Sequence, residues 1–136
     1  ASVVSEDERD EGSRMLLNLG HTFAHALEAA CGYKGVTHGE AVAVGLCLAA
    51  RLGCMLGLAR PGLPERISSL LACFGLPTSM SALRSSPSPE KVEECMVSDK
   101  KRRLGRLRFV LPAAIGDVRI VEDVPADMVG RALKST

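Results

Sequence analysis

RMLLNLGHTFAHALE, residues 14–28, is the stretch whose reading decides the fold. Taken as a helix that turns about 100° per residue, it puts Arg14, Asn18, His21 and His25 in a stripe roughly 60° wide, which Asp10 and Glu28 extend. Leu16, Leu19, Phe23, Leu27 and Ala30 lie on the opposite side, so one face packs and the other carries chemistry. No Lys, Arg, Asp or Glu falls between Met15 and Leu27. A polar stripe on so apolar a helix is expected to face a buried cleft. Ser5 with Glu8 three residues later has the pattern of a capping box, and Gly32 is a natural stop. The spacing therefore predicts one helix from residue 6 or 7 to Cys31.

Outward from this helix, the loop GYKGVTHGE carries His38 to the start of a second helix at residues 40–56. That helix is apolar on nearly every side, and Gly45, Ala49, Ala50 and Gly53 are small enough for close contact, which predicts a central position in a bundle. Pro61 and Pro64 interrupt the chain before PERISSLLACFG, a third helix stopped by Gly75. A turn-rich connection follows, with a short helix expected at residues 79–84. Ser88 then caps SPEKVEECMVSDKK. RLRFVLP and VRIVEDV have the β-rich look of paired strands, and Pro125 opens a last helix to about Leu133. The fold class is mainly α, a multi-helix bundle with a short β-hairpin near the C-terminus. Met55, Met80 and Met96 are expected in the core or in loops.

Length and composition narrow the function. The 136 residues are 46% hydrophobic with a net charge of +1, which suits one compact domain. Near-neutral charge, three Phe, one Tyr and no Trp give little drive toward nucleic acid. No apolar run reaches the ~18 residues of a spanning helix, and no signal peptide precedes the first helix, so no membrane is expected. Five cysteines without CxxC spacing point to a reducing, cytoplasmic setting. The chain opens on Ala1, and a piece of something longer is expected.

Two histidines four apart on a helix face can address one ion, and a third from a following loop can join them. From spacing alone His21, His25 and His38 are all candidate ligands for zinc or a related metal. A chance HxxxH with no metal is the competing reading. Arg14 and Asn18, on the same stripe, offer donors to an anionic or hydroxyl-rich ligand. Lys100 and Lys101 in DKKRR offer another anion contact, or else a solvated basic run.

LLNLGHTFAHALEAACGY followed by THGEAVAVGLCLAARLG resembles the paired signature of the 3-dehydroquinate synthase family. SEDERDEGSR and DKKRRLGRLRFVLPAAIGDV match that family in order and spacing. The resemblance spans nearly the whole chain and corresponds to the family's helical C-terminal domain. It implies that residues 1–136 are the metal- and substrate-binding domain, without the N-terminal NAD-binding domain and inactive alone.

It also implies roles. His21 and His38 match the ligands of a catalytic zinc or cobalt, whose third ligand is a glutamate of the N-terminal half. His25 matches an acid/base group beside the substrate phosphate. Arg14, Asn18 and one of Lys100 and Lys101 match substrate contacts. Asp10 stands where the family usually has a glutamate suggested to accept a proton. The implied reaction converts DAHP, a seven-carbon phosphate, to 3-dehydroquinate with NAD as a recycled cofactor, in a homodimer of the full-length protein. Two alternatives remain: another sugar-phosphate cyclase such as 2-deoxy-scyllo-inosose synthase, and a non-catalytic helical module that uses its histidines for structural zinc or partner binding.

Overall fold

The structure, a computed structural model, describes residues 19–114 and 116–135. The elements are α1 His21–Ala30, α2 His38–Met55, α3 Leu63–Cys73, a 3₁₀ turn at Met80–Ala82, α4 Pro89–Arg102, β1 Phe109–Ala114, β2 Asp117–Val121 and α5 Ala126–Lys134. The chain is thus mainly helical, with five helices and a two-stranded antiparallel hairpin near the C-terminus.

The apolar second helix occupies the centre, as its composition requires. Ala41, Val44, Leu48, Ala49 and Leu52 are at most 1% exposed, and α2 packs against α1, α3, β1 and α5. Each large aliphatic side chain sealed there is worth roughly 1.5–3 kcal/mol of hydrophobic stabilisation. Its start is set by a complete capping box. The Thr37 hydroxyl accepts from the Glu40 amide at 3.1 Å, and the Glu40 carboxylate accepts from the Thr37 amide at 2.8 Å. The cap thereby fixes the backbone at His38, the first residue of the helix. Ser88 caps α4 by accepting from the Lys91 amide, with Pro89 in the first turn.

The expected single helix from residue 6 or 7 to Cys31 does not hold. Gly20 has φ +77°, a left-handed conformation that no residue inside a right-handed helix adopts, and α1 begins immediately after it. The cause lies in packing. A Cβ on Gly20 would stand 2.8 Å from the Leu46 amide nitrogen, and one on Gly45 would collide with the Gly20 carbonyl oxygen. The turn before α1 and the middle of α2 meet backbone to backbone, so the chain bends where two glycines permit the approach. Arg14, Asn18 and Asp10 lie outside the described residues, and helical continuity no longer fixes their phase relative to His21.

The remaining expectations differ mainly at element ends. The short helix expected at 79–84 is the single 3₁₀ turn, with Met80 buried. β1 and β2 pair as anticipated, Phe109 opposite Val121 and Leu111 opposite Arg119. Phe109 brings its ring centroid to 5.4 Å from that of Phe23, joining the hairpin to α1 in the same core that holds Leu27, Val92, Met96 and Leu133. The Thr22 hydroxyl donates to the Arg108 carbonyl at 2.5 Å. This bond fastens the first turn of α1 to the entrance of β1. The Arg51 guanidinium donates to the Ser135 carbonyl and secures the end of α5. All five cysteines are free. No helix among the described residues is long and apolar enough to cross a membrane.

Candidate active site

Helix α1 presents His21, His25 and Glu28 on one side, and the first residue of α2, His38, arrives beside them. The ring centroids of His21 and His25 are 5.8 Å apart, and those of His21 and His38 are 5.3 Å apart in an edge-on arrangement. Three histidines from two elements therefore cluster on the surface, with His21 between the other two. Burial holds the His21 imidazole below its ordinary protonation range, and the neighbouring His38 and His25 push in the same direction against the opposing pull of Glu28. Its neutral form, the one able to offer a lone pair to a metal, is favoured.

His38 is oriented by Glu28. Nδ1 of His38 lies 3.2 Å from Oε1 of Glu28. An ionised carboxylate only accepts, so in the neutral imidazole this contact puts the hydrogen on Nδ1 and leaves the lone pair on Nε2. His21 and His38 together supply two imidazole ligands of the kind zinc and cobalt take. Among the described residues no group of three His, Cys, Asp or Glu side chains is arranged to hold a metal ion by itself.

Helix α4 forms the opposite wall. The cleft between it and α1 has a volume of about 320 Å³ and is lined by His21, Thr22, His25, Asp99, Arg103, Arg106 and Arg108. A neighbouring hollow shares His25, Asp99 and Arg103 and adds Glu28, Tyr33, Cys95 and Arg102. Asp99 organises the wall: Nε of Arg103 donates to its two oxygens at 3.2 and 3.3 Å, and Arg102 approaches at 3.4 Å. Arg108 pairs with Glu122 at 3.1 Å. Guanidinium groups outnumber carboxylates along the cleft, so its chemistry suits an anionic ligand with His25 within the same space.

The structure brings together the three predicted histidines. The cleft around them is open, with His25 exposed and His21 partly so, where the apolar character of the helix predicted a buried one. The open side is bordered by charged side chains, Asp99 of α4 and Arg103, Arg106 and Arg108 after its end. Lys100 lines a different groove with Met96, Val97, Leu107 and Phe109. Lys101 lies among Glu90, Glu94 and Ser98 on the outer side of α4. Asp99, Arg103 and Arg106 were not singled out for the site from sequence, and Glu28 entered only as an extension of the stripe, without a role. Their signals were nonetheless present: Glu28 is one turn beyond His25, and Asp99 and Arg103 have the four-residue spacing of a helical ion pair.

Comparison with known proteins bears on the chain as a whole. The family model described as 3-dehydroquinate synthase C-terminal matches residues 1–102. A 3-dehydroquinate synthase of Cereibacter sphaeroides is 43% identical over 136 residues, covering 98% of this chain and 37% of the relative. The chain thus spans little more than a third of that relative's length. Among solved structures, ValA, a 2-epi-5-epi-valiolone synthase from Streptomyces hygroscopicus subsp. jinggangensis 5008 with NAD+ and Zn2+ bound, superposes with a TM-score of 0.73 at 28% identity, over 88% of this chain and 32% of that one. A 2-deoxy-scyllo-inosose synthase complexed with carbaglucose-6-phosphate, NAD+ and Co2+ has the same fold, with a TM-score of 0.70 at 22% identity over 87% of this chain and 32% of that one.

Proposed function

The chain belongs to the 3-dehydroquinate synthase C-terminal family, and from that premise we propose that residues 1–136 form the metal- and substrate-binding half of an enzyme converting DAHP to 3-dehydroquinate and phosphate. The observation that carries this reading is the meeting of His21, His25 and His38 beside an arginine-lined wall. His21 and His38 are the metal ligands of this chain, and the third ligand is a glutamate of the N-terminal NAD-binding domain with which it works. When bound, the divalent ion polarises the alcohol oxygen being oxidised and NAD accepts the hydride for return later in the cycle.

This chain's own residues bind and orient. His25 holds or moves a proton at a phosphate oxygen, and Arg103 and Arg106 on the facing wall counter the phosphate's charge. On the resemblance alone, Arg14 and Asn18 contact the remaining anionic and hydroxyl groups and Asp10 accepts a proton; the contact it implies for one of Lys100 and Lys101 lies outside this cleft, since both line other surfaces. Holding one substrate pose through oxidation, elimination and ring closure is what such contacts contribute. The complete enzyme is proposed to be a homodimer.

Cobalt titration followed by visible absorption tests the division among the histidines. His21→Ala and His38→Ala are expected to abolish cobalt binding, and His25→Ala to spare it; equal loss in all three would refute the division. The purified 136-residue chain is expected to release little or no phosphate from DAHP, and an ordinary enzymatic rate would refute its assignment as half of an active unit. A second reading, a cyclase for a different sugar phosphate, is favoured by the likeness to ValA. Turnover of glucose 6-phosphate in place of DAHP by the complete enzyme would establish it.

A further inference from the structure

We propose that Glu28 is a positioning residue for the metal site, its carboxylate fixing the ring of His38 so that Nε2 is the ligand atom. The proposal rests on the metal reading given above and adds a residue to it. Three observations carry it. The first is the contact itself, Oε1 of Glu28 to Nδ1 of His38 at 3.2 Å, which requires the hydrogen on Nδ1 and leaves the lone pair on the far nitrogen.

The second is selectivity. Glu28 borders a hollow that Arg102 and Arg103 also line, yet both guanidiniums pair with Asp99. Among the described residues, His38 is the one ion-pair partner of Glu28. The third is rigidity. The Glu28 side chain is 19% exposed and His38 58% exposed, so the carboxylate is the better-held member of the pair. The capping box at Thr37 and Glu40 fixes the His38 backbone, and Glu28 on α1 fixes the ring. The imidazole is thereby oriented before any metal arrives.

Two measurements on the purified chain test this. Nitrogen-15 correlation spectra of the histidine rings, recorded metal-free at about pH 8, where an ordinary imidazole is neutral, report the His38 tautomer. The wild-type chain is expected to show a protonated Nδ1 and a bare Nε2. Glu28→Ala is expected to shift His38 toward the Nε2-protonated form. Cobalt titration of the same samples is expected to show affinity about 10- to 100-fold weaker in Glu28→Ala. Glu28→Gln, which keeps the size and an accepting oxygen but not the charge, is expected to hold the tautomer with a smaller loss of affinity, and it decides the matter if the alanine variant does not fold. An unchanged His38 tautomer in Glu28→Ala, or wild-type affinity in both Glu28 variants while His38→Ala loses cobalt, overturns the positioning role and leaves the metal reading intact. Wild-type affinity in His38→Ala overturns the metal reading and the proposal with it.

Discussion

Gly45→Ala tests how the site is built, because two physical effects predict opposite signs. Within a helix, replacing glycine by alanine stabilises by about 1 kcal/mol through backbone entropy. At Gly45, however, the new Cβ would meet the Gly20 carbonyl oxygen, the Ala24 amide nitrogen at 3.0 Å and the Ala24 Cβ at 3.4 Å. The nearest two are backbone atoms and cannot rotate away, so α1 must separate from α2. Overpacking of this kind costs about 1–3 kcal/mol, and rigid obstacles place it toward the upper end. The net expectation is a loss of about 1–2 kcal/mol, or roughly 3–10 °C in Tm for a chain of this length. Gly39, in the first turn of the same helix, has nothing within 4 Å of an added Cβ; Gly39→Ala should hold or raise stability. Gly53 is intermediate, with the Pro112 carbonyl at 3.2 Å and the Ala59 Cβ at 3.3 Å. Urea denaturation of the three variants measures the order. A Gly45→Ala chain as stable as Gly39→Ala would refute the close crossing. Separating α1 from α2 also draws His21 away from His38, so Gly45→Ala should weaken cobalt binding as well.

Thr37→Ala removes a hydroxyl that accepts the Glu40 amide at 3.1 Å. A loss of about 1 kcal/mol in the denaturation midpoint is expected, and an unchanged midpoint would show that the cap contributes nothing. Thiol labelling should distinguish the cysteines, since Cys73 is exposed and Cys47 is 1% exposed. A thiol reagent at neutral pH should modify Cys73 readily and Cys47 only on unfolding; rapid labelling of Cys47 in the folded chain would contradict its place in the core. Burial raises the Cys47 thiol above its usual 9.0 in the folded chain, so the folded state holds its proton longer than the unfolded state does. That contribution to stability is fully present below pH 9.0 and is lost as pH rises from there through the raised folded value. Cys47→Ala should flatten the decline above pH 9.0, and an equally steep decline would assign it to other groups.

The helices were legible where local chemistry and burial agree. Apolar residues on all sides of 40–56 leave α2 no place but the centre, and Ser88 marks the start of α4 through a hydrogen bond made within one turn, with Pro89 at its first position. The hairpin was legible from two β-rich runs close together in the chain, RLRFVLP and VRIVEDV. The break at Gly20 was not. A lone glycine within an apolar period is tolerated in many helices, and its left-handed conformation here depends on Gly45, which follows it by 25 residues in the chain. Periodicity along one segment carries no information about such a contact, because the small residue that permits it belongs to another helix.

The same separation of local and non-local information divides the site. His21 and His25 share a face of α1 by helical geometry, and their proximity follows from spacing. His38 joins them through the packing of α2 on α1, which spacing could suggest but not require. Glu28 has the residue spacing of a third member of the α1 face, yet its carboxylate pairs with His38 at the start of α2, while it also acts electrostatically on His21. Likewise, the basic run 100–108 advertises positive charge without saying which cations turn toward the histidines. Once α4 is docked against α1, the 100° step between residues decides it: Asp99 and Arg103, four apart, face the cleft, while Lys100 and Lys101 are carried round to other sides. A charge count over this run would weight the lysines and arginines equally, whereas the end of α4 and the segment after it give the cleft to arginine. An anion there meets the planar Arg103 guanidinium held in place by Asp99, a more directional contact than a mobile ammonium provides.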